Sequence, residues 1–448
     1  MRIETRRLLD RAFSSLGLIA IGLMALVLVV ILTPIISKGS SAFVFRSTVE
    51  HRKLMFDHWN RGNPERVKQD EDKAAEARAP VYQMLSDFKI ELAAMPRAER
   101  SPYKKPLHAV ETALDRLLGP NPGTRTPVLM RQQYGATRWD RTQAKLDNLL
   151  YSEEWDYSNP DALGVKVLRP RAEDFRDTKL EPLFDYVKAN IKPMMRPHWT
   201  FYWQFLIDTS KDSHIFGGIG PEVLGTIYLT LGAMLFAVPM GVIAAIYLCE
   251  YAREGRVISF LRICISTLAG VPSIVFGLFG LAFFLNTIHI SNSKSVLAGS
   301  LTLALLILPT VIRSSEEAIL AVPRAYKEAA LSLGAGRWYT IMTVILPAAL
   351  PGILTGTVIS MGRAAGETAP IIFTAAVSVG RPLFPIEALS QPTPALPWNI
   401  YNLCTEHEAV DEIRHVQYGM VFTLVALVLL LNVFAIVMRA RISKKLRG

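Results

Sequence analysis

Long apolar runs recur along this chain on either side of one long stretch that has none. Leu16 to Ile36 is an uncharged run of 21 residues, long enough to cross about 30 Å of hydrocarbon at roughly 1.5 Å per residue. A secretory signal peptide is the competing reading. The run exceeds a usual signal core and no A-x-A site follows it, so a retained span is expected. Further runs fall at Val223–Leu248, broken by Pro239, and at Val257–Leu285, which contains Gly270-Val271-Pro272-Ser273. Val296–Ile312, Thr340–Ala376 and Tyr418–Met438 complete six candidate crossings.

Residues 46–216 are different in kind, with many charges of both signs and frequent aromatics such as Trp59, Trp139, Trp155 and Trp199. Val67–Ala79 reads as a polar helix, which Pro80 should end or restart. Val81, Leu85, Phe88 and Leu92 then share one face of a second helix. Lys105–Leu118 reads as a third, and Pro and Gly cluster at 119–127. Tyr202 and Trp203 fit an interfacial belt before the next span. His51, His58, His108, His198 and His214 lack ligand spacing and read as surface or packing residues.

Composition changes the picture in two ways. Half of the 448 residues are hydrophobic and the formal charge is +10. In a polytopic chain that excess marks basic cytoplasmic edges, not nucleic-acid binding. Cys249, Cys264 and Cys404 form no disulfide framework or metal spacing, and no G-x-x-x-x-G-K-[ST] occurs. The chain is therefore expected to hold no cofactor, and any ATP chemistry must come from a partner. With the N-terminus inside, six crossings return the basic tail (Arg439, Arg441, Lys444, Lys445, Arg447) to the cytoplasm, together with the Arg253/Arg256 loop. The 46–216 insert, the His289–Lys294 turn and the 377–416 loop with Glu406, Glu408, Asp411 and Glu412 then lie outside.

Candidate chemistry concentrates between Ser314 and Ala376. Pro323 suits a helix start, Ala325–Leu333 are good helix formers and Gly334 is a plausible stop. Ala329, Ala330 and Leu333 give this short helix one small-residue face. Arg313 ends the fourth span, while Arg363 and Glu367 sit deep in the fifth. Charge at the bilayer centre costs about 2.5–3.5 kcal/mol and so belongs on a protein interior or a wet path. Four residues apart, Arg363 and Glu367 fall on one helical face. Either they neutralise each other, or they form an anion gate in which a guanidinium fork takes oxyanions and the carboxylate holds it between passages. Gly362 and Gly366 read as a packing step. Arg262 is expected to snorkel to the cytoplasmic edge.

The run Glu328-Ala329-Ala330, three residues, Gly334, nine residues, Val344, one residue, Leu346-Pro347 resembles the EAA loop of ABC-importer permeases, with Val344 at the usual Ile. GTIYLT at 225–230, Val238-Pro239-Met240-Gly241, YLCEY at 247–251, GVPSIV at 270–275 and RAAGETAPIIF at 363–373 are similar to the PstA family of phosphate-importer permeases. The resemblance covers about 217–376 strongly and the sixth span weakly. It implies an all-α polytopic membrane protein: a type I ABC transporter permease of six transmembrane helices, plus a mainly α-helical extracytoplasmic insert. The implied divisions are 1–45 (N-terminus and first helix), 46–216 (insert), 217–438 (permease, with the coupling loop at about 314–345) and 439–448 (basic tail). The chain itself would then be no enzyme. By the same resemblance Arg313, Arg363 and Glu367 line a phosphate route, and Glu328, Ala329, Ala330 and Gly334 couple to an ATPase. The implied partners are a PstC-like sister permease, a PstB-like ATPase dimer and an extracytoplasmic phosphate-binding protein, in a bacterial inner membrane. The insert is much longer than the outer loop usual in that family. The alternatives are a permease for another oxyanion (sulfate, molybdate, phosphonate) and a membrane sensor with an outer ligand domain, which would leave the EAA spacing unexplained.

Overall fold

The computed structural model describes residues 3–120, 122, 136–156, 165–406 and 410–446. The Pro/Gly cluster from residue 123 onward, Glu408 and Arg447 fall outside the described residues. Two compact units divide the chain: Met1–Ala42 with Gln204–Gly448, and Phe43–Trp203.

In chain order, helix α1 spans Ile3–Gly39. Its apolar window is wholly unburied, as a lipid-facing helix would be, and Lys38 lies over the Tyr418 ring at 5.1 Å. Strand β1 (Val44–Ser47), α2 (Val49–Trp59), α3 (Pro64–Ala94) and α4 (Arg97–Leu118) open the second unit. Helix α5 (Trp139–Leu150), strands β2 (Tyr151–Asp156) and β3 (Val165–Pro170), α6 (Glu181–Met195) and β4 (His198–Phe201) complete it. The strands pair antiparallel, β1 with β4 and β2 with β3. The core gathers Val81, Leu85, Phe88, Leu114, Phe175 and Phe184 among others, and Phe88 meets Phe175 edge-on at 5.6 Å.

Three expectations for this unit change. Pro80 does not end a helix: α3 runs through it. An interior proline forfeits a hydrogen bond at about 3 kcal/mol, but Val67 and Ala74 before it and Val81, Leu85, Phe88 and Leu92 after it bury along one face. Each large side chain in that row contributes about 1.5–3 kcal/mol, so the row prevails. Helix α4 starts at Arg97, ahead of the expected Lys105, and carries Pro102 and Pro106 in its first half, before the buried row Leu107, Val110, Leu114, Leu117 and Leu118. Tyr202 is buried against Phe45 and His51 rather than facing a membrane, while Trp203 is exposed.

The first unit resumes with the short strands β5 (Ser210–Lys211) and β6 (Phe216–Gly217). Then come α7 (Gly220–Ile246), α8 (Arg256–Ala269), α9 (Ser273–Gly280) and α10 (Val296–Leu320). Helices α11 (Arg324–Ser332), α12 (Leu346–Gly366), α13 (Ala369–Thr374), α14 (Leu396–Thr405) and α15 (Val410–Leu446) follow. Pro239 does not break α7, since Ala233, Ala237, Gly241 and Ala245 bury along the helix on both sides of it. Wide π-turns extend α7 at Tyr247–Tyr251 and α9 at Leu281–Thr287, and precede α12 at Ile341–Ile345. The third apolar run is not straight: α8 and the segment Ser273–Thr287 meet at 101°. Pro272 supplies the break, since it cannot donate to a continuing ladder. Among the described residues five helices are long and apolar enough to cross a membrane, and up to six if the bent pair counts as one.

Candidate functional site

Helix α10 occupies the middle of the permease unit. It packs on α7 and α12 through small side chains. A Cβ on Gly356 would meet the side chain of Ser314 at 2.0 Å. That closeness places α12 directly against the turn of α10 that carries Arg313. The expected glycine step does not pack in this way. A Cβ on Gly362 would find only ordinary contacts at 3.7 Å, and one on Gly366 would meet nothing within 4 Å.

Arg363 Nε donates to Glu367 Oε1 at 3.3 Å. The arginine side chain is 43% exposed and the glutamate 19%. Their pairing is as expected, but the shared helical face is not: α12 ends at Gly366 and Glu367 takes extended backbone (φ −75°, ψ 130°). Arg313 is held from α8, its Nη2 donating to Ser266 Oγ at 2.7 Å. The structure thus fixes Arg313 and Arg363 with separate partners.

Glu316 is the residue that sequence reasoning missed. Its carboxylate is buried, 3.9 Å from Arg313 Nη1 and 3.7 Å from Arg262 Nη1. Ending the fourth span at Ile312 left Glu316 in a loop; the signal was its three-residue spacing from Arg313, which a continued helix puts on one face. Arg262 is correspondingly not a free snorkelling cation, since it also donates to Leu248 O at 3.3 Å.

Helix α11 lies where the short helix was expected. Pro323 stands just before its first residue and Gly334 ends it with φ +83°, a conformation that favours glycine. Ala335 N closes back on Ala330 O at 3.1 Å. Helix α11 buries none of its residues; Glu328, Ala329 and Gly334 are exposed and Ala330 half-buried. Leu333 is 89% exposed, with Tyr326, Trp338 and Tyr339 also open. Lys327 forms an ion pair with Glu250 in the π-turn after α7.

A second polar cluster closes the opposite end of α7. Glu222 Oε1 meets His214 Nε2 at 2.9 Å and accepts from Asn399 Nδ2 at 3.0 Å, all three buried. Asn399 also donates to Ser378 O at 2.9 Å, which pins the 377–405 loop to α7. In the Phe43–Trp203 unit, burial and then Arg138 pull the pKa of His51 down to about 3.

Residues 237–448 match the family described as "binding-protein-dependent transport system inner membrane component". Residues 1–93 match a domain of unknown function, DUF3333. The chain is 34% identical over 253 residues to the probable ABC transporter permease protein YqgI of Bacillus subtilis, across 54% of this chain and 85% of that one. It is 32% identical over 247 residues to the phosphate transport system permease protein PstA of Mycobacterium leprae, across 55% and 79%. With PstA 1 of Mycobacterium tuberculosis the identity is 34% over 233 residues, across 52% and 72%. Permeases of this kind are not themselves enzymes; a separate ATPase subunit hydrolyses ATP, and a binding protein delivers the cargo. The chain is a multi-pass membrane protein that belongs to the inner-membrane permease family of binding-protein-dependent ABC transport systems, within its PstA type.

Proposed function

We propose that this chain is the transmembrane subunit of an ATP-driven importer of inorganic phosphate. The observation that carries the reading is two half-exposed guanidiniums, Arg313 and Arg363, set in mainly apolar helices. Each has a carboxylate within the next turn, so each is held in place when no anion is present. Phosphate oxygens match the guanidinium fork better than water does, and several relatives are phosphate transport permeases by name. Arg313, Arg363 and Glu367 line the route in this reading. Glu328, Ala329, Ala330 and Gly334 form the face that meets the ATPase, a PstB-like dimer. A PstC-like sister permease completes the path, and an extracytoplasmic phosphate-binding protein loads it. Both termini lie in the cytoplasm and the 46–216 insert lies outside. ATP-driven closure moves α11 as a rigid body, and α7, α10 and α12 follow.

Uptake of radiolabelled phosphate by the assembled complex tests this. Arg363→Ala is expected to lower uptake about 100-fold or more with subunit assembly intact; normal uptake would refute the gate. Competition by sulfate, molybdate or a phosphonate in place of phosphate would reassign the cargo. A cysteine at Ser332 should react with an impermeant maleimide only after the membrane is opened. Labelling in intact cells would invert the topology.

A further inference from the structure

We propose that Glu316 is a positioning residue for Arg313, and that through Arg262 it joins this arginine to α11. The inference rests on the transport reading above. Ion pairs, hydrogen bonds and the backbone of one π-turn lead from one place to the other. Lys327 of α11 pairs with Glu250 in the π-turn Tyr247–Tyr251. The carbonyl of Leu248 in the same turn accepts from Arg262 Nη2 at 3.3 Å. Arg262 Nη1 stands 3.7 Å from Glu316 Oε1, and Glu316 Oε2 stands 3.9 Å from Arg313 Nη1. Arg313 then returns to α8 at Ser266 Oγ, 2.7 Å away. Four elements contribute: α11, the end of α7, α8 and α10.

The burial pattern separates this chain from a set of surface ion pairs. The Glu316 side chain is 5% exposed, while Arg262 and Arg313 are 40% and 52% exposed. A carboxylate buried at this depth is costly unless cations meet it. Two cations from different helices do so, and any movement of α8 relative to α10 changes the Arg262–Glu316 and Arg313–Ser266 contacts together. Arg363 and Glu367 repeat the arrangement of half-exposed arginine and better-buried glutamate, without a link to α11. Glu316 thus holds Arg313 toward α8 when α11 sits as it does here. Displacement of α11 loosens the Arg262 contact and frees Arg313 for an arriving anion. Contiguity alone does not establish coupling, so the test must read coupling itself.

The complex is reconstituted in liposomes with its ATPase and its loaded binding protein, and the ratio of stimulated to unstimulated ATP turnover is measured. Glu316→Gln, which keeps shape and removes charge, should lower that ratio about fivefold or more, and Glu316→Asp should recover part of it. Arg262→Gln breaks the same link from its more exposed side and should give a similar loss, deciding the matter if Glu316→Gln fails to assemble. Glu250→Lys and Lys327→Glu should each lower the ratio, and their combination should restore it. An unchanged ratio in Glu316→Gln or in Arg262→Gln overturns the proposal. The readout counts ATP and not cargo. A complex that carries another oxyanion would refute phosphate and leave this result standing.

Discussion

Helices α1 and α10 are both apolar enough to span a bilayer, and they are used in opposite ways. The apolar stretch of α1 is the more hydrophobic of the two and none of it is buried; that of α10 is 67% buried. The less hydrophobic helix is the central one. Lipid is as apolar as leucine, so hydropathy governs entry into the membrane and not position within a bundle. What draws α10 inward is close approach through small residues. Ser300, Thr302 and Ser315 are all but fully buried on it, and Arg313 and Glu316 ride along. Leu18, Leu23 and Leu26 of α1 stay exposed in this chain.

The sharpest way to break the comparison is to swap bulk between the two helices' surroundings. Gly356→Leu drives a side chain into Ser314, and overpacking costs about 1–3 kcal/mol even where neighbours yield. Loss of a monodisperse peak in detergent is expected. Gly17→Leu in α1, with nothing within 4 Å, should leave the elution profile as it was. A Gly356→Leu protein that behaves normally would show that α10 and α12 are not in contact.

The same rule extends to the Phe43–Trp203 unit, where burial decides the state of His51. Its folded pKa is about 3 against an ordinary 6.5. The unfolded chain therefore binds a proton that the folded one refuses between those values. Stability falls as pH drops from about 6.5 toward 3, by up to about 1.4 kcal/mol per unit from this group. Acid unfolding followed by tryptophan fluorescence should be shallower in His51→Phe; identical slopes would contradict a buried neutral ring.

A smaller effect is expected at the far end of α7. Glu222→Leu leaves the His214 and Asn399 donors without their acceptor, at about 1–3 kcal/mol, readable as a lowered melting temperature. Smallest of all, Leu23→Ala in α1 should lie within about 0.5 kcal/mol, since its 61% exposed side chain fills no protein cavity.

The sequence disclosed those features that depend on composition over many residues. The apolar runs, the row Val81–Leu92 and the stop at Gly334 were all legible, because period and backbone chemistry act locally. Prolines misled, since Pro80 and Pro239 lie in helices whose buried rows outweigh one missing donor each, and a local rule cannot weigh those rows. The candidate site was half legible. Arg313, Arg363 and Glu367 announced themselves as charges in apolar surroundings. Glu316 did not, because α10 continues to Leu320, past the point where its apolar run stops. The partners Ser266, Arg262 and Leu248 O come from other helices, and no spacing along the chain encodes them.

The π-turn at Tyr247–Tyr251 carries one residue more than an α-helical turn needs. A single deletion there would heal the helix into regular winding. It would also change the direction in which Glu250 leaves the helix, and Glu250 would swing out of reach of Lys327. Natural relatives that lack the extra residue should therefore lack the acidic–basic couple as well, so the two are expected to be inherited or lost as one trait.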